Sequence, residues 1–193
     1  PAVHCRAGSV CYKLEWNGLS MSFSGDNKPT RYMIDNASGV DVLIHEIVVP
    51  TDVWVEKGLG VPRDSPYWDK AYAGAKDVQD SSHTPQKAYG YLLDQMAVPP
   101  RLAIGTHFQA SDDTIRAAMT DIRKWYSKGE VIIANDLMVI NVTKRKITKR
   151  RAIVSSYTWQ PPTIFRSRAL ATAKYPNSTF QLDPEGLAHC IPP

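Results

Sequence analysis

The chain has 193 residues, 43% of them hydrophobic, and a formal net charge of +4; that is one domain or slightly more, with enough apolar material for a real core. The charge is too small to name a nucleic-acid partner by itself, and no run approaches the ~18 apolar residues that a membrane span needs. Three cysteines, Cys5, Cys11 and Cys190, with no C-x-x-C pair, exclude a disulfide scaffold and a zinc ribbon.

The chain starts at Pro1 without a methionine, as a processed or truncated piece would. Val10, Tyr12, Leu14 and Trp16 share one face of a first strand by the two-residue period. Asn17-Gly18, the pair that tolerates positive φ at both central turn positions, reverses the chain. Leu19, Met21 and Phe23 return as the apolar face of the partner strand. Gly25-Asp26 lies beyond that period, at the sheet edge where α/β proteins place their chemistry; the local alternative is a turn-capping aspartate.

Pro29-Thr30 then opens a short helix through Met33, Ile34 and Ala37, closed by Gly39. Val40–Ile44 reads as a buried strand delivering His45-Glu46 at its end. Residues 48–82 show no clear period. Their prolines, glycines and aromatics Trp54, Tyr67 and Trp68 predict a long loop or lid with short helices, and a loop of that length usually covers something.

Thr84 is the expected N-cap, and Pro85 the first residue, of a helix carrying Ala88, Tyr91, Leu92 and Met96, which puts His83 at a helix start. Arg101–Gly105 is a short strand ending on Thr106-His107-Phe108. Ser111 caps a helix whose members Ile115, Ala118, Met119, Ile122, Trp125 and Tyr126 keep the helical period up to Gly129. Two further strands cover residues 131–134 and 137–142.

Lys144, Arg145, Lys146, Lys149, Arg150 and Arg151 place six positive charges in eight positions. Such a run faces phosphates or protects a solvated strand edge. Without the interleaved aromatics of single-strand binders, the edge reading is favoured. Residues 152–193 carry six prolines and little periodicity, as a tail packed on the domain would. Strands alternating with helices imply an α/β (α+β layered) fold.

His4, Asp26, His45-Glu46 and His107 all stand at strand ends or element boundaries, with His83 at a helix start. A lone histidine is usually structural; the set is what suggests chemistry. Imidazole and carboxylate together suit borderline divalent ions, and a carboxylate can bridge two of them.

Pro1-Ala2-Val3-His4, Ser24-Gly25-Asp26, Leu43-Ile44-His45-Glu46, Ser82-His83-Thr84, Thr106-His107-Phe108 and Ala134-Asn135-Asp136-Leu137-Met138, in this order, resemble the second half of a metallo-β-lactamase-fold hydrolase. The similarity covers roughly residues 1–143. It points to the branch of the tRNA 3′-processing endonuclease RNase Z and of relatives grouped with arylsulfatases and guanitoxin-biosynthesis hydrolases. The resemblance implies the second half of an αββα sandwich, residues 1–151, with a lid-like insertion at 48–82.

It implies His4, Asp26 and His107 as metal ligands, with Asp26 bridging. It also implies His83 as the group that assists the leaving group, Glu46 as the acid that orients it, and Trp54, Tyr67 and Trp68 as lid residues over a substrate. The cofactor implied is a pair of divalent ions, zinc first, with manganese or iron as alternatives. The reaction implied is cleavage of a phosphate, sulfate or acyl ester of a small molecule by a metal-bound hydroxide.

Two rivals remain beside it. One is RNase Z-like action on tRNA 3′ ends; the other is a metal-free scaffold or binding protein of the same fold. The family's first metal cluster, a His-x-His-x-Asp-His run, is absent from these residues, so the expected partner is the N-terminal half of the same fold. Relatives are often dimers, which implies a homodimer by analogy only. Cytoplasm and periplasm both stay open.

Overall fold

The computed structural model describes residues 2–108 and 112–152; the Ser111 cap and all but the first residue of the proline-rich tail lie outside them. The hairpin forms as its turn chemistry dictates. Strand β1 (Tyr12–Trp16) pairs antiparallel with β2 (Leu19–Phe23), with Leu14 opposite Met21. Asn17 and Gly18 take φ of 51° and 70°, the doubly left-handed turn that matches strand twist.

Strands β3 (Val42–Glu46), β4 (Leu102–Thr106) and β5 (Val131–Ile133) extend a five-stranded sheet in the order β1-β2-β3-β4-β5. The β2–β3, β3–β4 and β4–β5 pairs are all parallel. The fold is therefore mixed α/β, as the alternation implied, and β2, β3 and β4 end along the same edge.

Helices occupy the crossovers: α1 (Arg31–Ala37), α2 (Thr51–Val53), α3 (Trp68–Ser82), α4 (Gln86–Asp94) and α5 (Asp112–Arg123). Thr30 caps α1 by accepting from the Met33 amide at 3.1 Å. On one face of the sheet, Leu43, Ala103, Val131 and Ile133 pack against Met33, Tyr89, Leu92, Leu93, Ala118, Ile122 and Tyr126. Each fully buried aliphatic side chain there contributes about 1.5–3 kcal/mol.

The opposite face, with Val42, Leu102 and Ile104, is covered by Ile140, Val142 and Ile147. These come from a separate antiparallel pair, β6 (Met138–Val142) and β7 (Ile147–Arg151). The second half of the basic run, Lys149, Arg150 and Arg151, thus lies on a strand, and Lys144, Arg145 and Lys146 lie in the turn before it. Arg150 and Arg151 are exposed on it, and Lys149 makes an ion pair with Glu130. No helix among the described residues is long and apolar enough to cross a membrane.

Three expectations need correction. Residues 48–82 are largely helical, with the fifteen-residue α3 where a loop was expected. The buried face of α3 is Ala75, Gln79 and Ser82, small or polar residues at helical spacing, so hydropathy carries no period there. Thr84 does not cap α4, which begins at Gln86; its hydroxyl instead donates to the Asn27 carbonyl at 2.6 Å. The apolar period of β1 does not bury: Tyr12, Leu14 and Trp16 are 65%, 57% and 70% exposed. Pairing opposite Phe23, Met21 and Leu19, they form an apolar ladder that is open to solvent along β1 and at Phe23, while Leu19 and Met21 are half-buried.

Candidate functional site

The carboxyl ends of three parallel strands deliver three of the site side chains. Asp26 follows β2, Glu46 ends β3, and His107 follows β4. Gly25 before Asp26 has φ of 57°, and a Cβ there would sit 2.9 Å from the Val10 carbonyl, so the turn that aims the carboxylate requires glycine. His107 is itself left-handed, with φ of 60°. A non-glycine residue in that region stores strain, which proteins concentrate at functional sites.

His4 and His83 arrive from outside the sheet. The His4 segment is tied down by Val3 N–H donating to Asn27 Oδ1 at 2.7 Å and Lys28 N–H donating to the Val3 carbonyl at 2.9 Å. The Arg6 amide donates to His4 Nδ1 at 3.0 Å and orients the ring. His83 ends α3, its amide donating to the Gln79 carbonyl at 3.0 Å.

Glu46 is the hub beneath them. It is 2% exposed, and its Oε1 accepts from the Asn27 amide at 3.2 Å, the Thr84 amide at 3.0 Å and His83 Nδ1 at 3.3 Å. With Nδ1 held by the carboxylate, His83 keeps Nε2 for other work. The Glu46 amide donates to Ser24 Oγ at 2.9 Å, whose own proton goes to the Gly25 carbonyl at 2.6 Å. Ser24, Asn27 and Thr84 are wholly buried. This polar network welds the ends of β2 and β3 to the α3–α4 junction.

Above it, His4, Asp26 and His83 each bring a ligand atom within 4.8 Å of the other two. His107 Nδ1 lies 3.5 Å from Asp26 Oδ1, and its ring stacks on His83 at 5.3 Å between centroids. The His4 ring meets His83 edge-on at 5.9 Å. Imidazole and carboxylate donors at this spacing, with Asp26 and His107 about half exposed, fit a borderline divalent ion. The hydrogen bond that His83 donates to Glu46 raises the His83 pKa above its ordinary value; burial opposes this, and the charges of Glu46 and Asp26 add to it.

His45 takes no part. Strand alternation turns it into the helical core, where Nδ1–H donates to the Glu46 carbonyl at 2.7 Å and the ring packs 5.4 Å from Tyr89. Of the three lid aromatics, Trp54 borders a small cavity of about 90 Å³ that His83 and His107 also line. Tyr67 lines a groove farther out. Trp68 stacks on Tyr72 at 6.2 Å, with the Arg63 guanidinium 5.4 Å from its ring.

Sequence reasoning missed the supporting polar groups. Asn27 reads as a neutral neighbour of Asp26, and Thr84 as a helix cap, because a buried hydrogen-bond network leaves no periodic trace. No family model matches the chain, and no curated protein matches it. Among solved structures, it is similar to the metallo-beta-lactamase fold protein YhfI from Bacillus subtilis, at 13% identity and a TM-score of 0.43. The match covers 69% of this chain and 44% of that one, so the chain spans less than half of that protein's length.

Proposed function

We propose that the chain carries the second half of the catalytic centre of a metal-dependent hydrolase of the metallo-β-lactamase fold, acting on an ester-type bond of a small molecule. One observation carries this reading. His4, Asp26, His83, His107 and Glu46, spread over more than a hundred residues of sequence, converge at one sheet edge on a buried polar support.

In this reading His4, Asp26 and His107 would hold divalent ions, zinc first and manganese or iron as alternatives, with Asp26 as the candidate bridging carboxylate. When bound, such ions activate water at neutral pH and polarise the scissile group. The protein's own part is positional. Glu46 fixes His83 through Nδ1, and His83, carrying a proton on Nε2, delivers it to the departing oxygen. The His107 ring stacks on His83 and Trp54 walls the cavity beside it, which limits the poses open to a substrate there.

Three to four donors are too few for two complete sites, so the remaining ligands come from a partner half of the fold. The ladder Tyr12–Phe23, Leu14–Met21 and Trp16–Leu19, exposed along its β1 side, is the surface we assign to that half, since apolar patches of this kind mark interaction sites. Action on tRNA draws only on basic strand β7, whose neighbour contacts serve packing of the sheet.

His83 also stands within ligation distance, and one variant separates the two roles. His83→Ala in the full-length protein is expected to keep its metal while losing 100-fold or more in kcat, on the order of a general acid's contribution. Loss of metal together with rate would make His83 a ligand instead.

A further inference from the structure

Beyond the small cavity at the histidines lies a larger open groove of about 430 Å³. Trp54, Leu59 and Tyr67 form one wall, and Ala71, Gly74 and Val78 of α3 form the floor. Trp54 borders both cavities, and α3 lines both, with Gln79 and His83 on the inner side. Trp54 and the C-terminal half of α3 thus lie between the histidine edge and this groove.

The groove has a definite chemistry. Its lining is apolar apart from Lys70, whereas the inner cavity presents Gln79, His83 and His107. From Val78 back to Ala71 it follows two turns of helix, about 10 Å at 1.5 Å per residue, so it is long and shallow. The small floor residues keep it open. Gly74 stands in mid-helix, where alanine is the better helix former, and a Cβ added to it would meet nothing within 4 Å.

The opposite wall is held in an unusual backbone. Trp54–Gly58 forms a turn of π-helix, with Leu59 N–H donating to the Trp54 carbonyl at 2.9 Å. Such turns recur at functional sites. Arg63 braces this one, reaching Asp52 at 2.7 Å and Glu56 at 3.2 Å.

We propose that this groove is a subsite for an unbranched alkyl or acyl chain, the apolar tail of an amphiphilic ester whose ester group lies at the histidine edge. The proposal rests on the hydrolase reading for its polar end and on the polarity gradient along α3 for its tail. Its occupant is a small molecule because the groove and the cavity at the histidines share Trp54 and helix α3.

The test measures binding of ethyl, hexyl and decyl phosphonate, which are not hydrolysed, to the zinc-loaded full-length protein by calorimetry. Affinity is expected to rise about two- to fourfold for each added methylene, the range for partial to full burial. Gly74→Trp fills the groove and is expected to abolish that rise, so that decyl and ethyl phosphonate bind alike; Gly74→Ala, with open space around it, is expected to preserve it.

Equal affinities across the series, with ethyl phosphonate bound in a zinc-dependent way, overturn the tail subsite and leave the hydrolase reading standing. A rise that disappears in Gly74→Trp, with the affinity of every phosphonate unchanged by removing zinc and by Asp26→Ala, supports the subsite and overturns the hydrolase reading. A rise that survives Gly74→Trp overturns the subsite. So does a change of oligomeric mass caused by Gly74→Trp, measured by light scattering, which would make the groove a contact between copies of the chain.

Discussion

The two strands of one hairpin end in opposite ways. At the open end of β2, Ser24 and Asn27 are wholly buried and hydrogen-bonded to Glu46, Thr84 and the His4 segment. Along β1, Tyr12, Leu14 and Trp16 keep more than half of their surface in water. Polar residues are buried where the chain must hold chemistry still, and apolar residues of β1 are exposed where none of the described residues covers them. Hydrophobic periodicity therefore reports strand geometry, while burial depends on what packs against the strand.

The sharpest way to break the polar end is to remove its hub. Glu46→Ala strips the Asn27 and Thr84 amides of their acceptor inside a buried site, and each orphaned donor costs about 1–3 kcal/mol. We expect a loss of about 2–5 kcal/mol in denaturant unfolding. A loss below about 1 kcal/mol would mean that the network does not hold the site together.

The core side of the same strand end offers a pH test, made on metal-free protein. Burial lowers the His45 pKa, against its hydrogen bond to the Glu46 carbonyl and the Glu46 charge. The unfolded chain therefore takes up a proton near pH 6.5 that the folded one refuses. Stability is lost as pH falls below that value, by at most about 1.4 kcal/mol per pH unit. His83 acts in the opposite sense: its raised pKa gives stability that is present below pH 6.5 and fades as pH rises through the folded value. His45→Leu should flatten the acid-side loss, and an unchanged slope would exclude His45 as its source.

The smallest effect belongs to the ladder. Trp16→Ser should change the stability of residues 1–193 by no more than about 0.5 kcal/mol, as for other exposed positions. With the partner half that the proposed function assigns to the ladder bound on it, the same change should cost about 2 kcal/mol or more. Equal small effects in both would leave β1 as a solvated edge.

Much of the frame was legible. Asn17-Gly18 specified its turn, Thr30 its cap, and Ala118, Ile122 and Tyr126 the buried stripe that continues from α5. The strand-end positions of Asp26, Glu46 and His107 could be read because apolar runs stop just short of them. Helix α3 was hidden because Ala75, Gln79 and Ser82 bury without being hydrophobic, Gln79 through bonds with Thr51 at 2.7 Å and the Val49 carbonyl at 2.9 Å. The support around Glu46 was hidden for a related reason: its contacts join residues up to 38 positions apart, and no local pattern encodes them.

The most direct test of the centre is the metal content of the full-length protein by elemental analysis, beside that of Asp26→Ala. The account predicts about two zinc, manganese or iron ions per chain, falling sharply in the variant. A well-folded protein without metal, or a content that Asp26→Ala leaves unchanged, would contradict it.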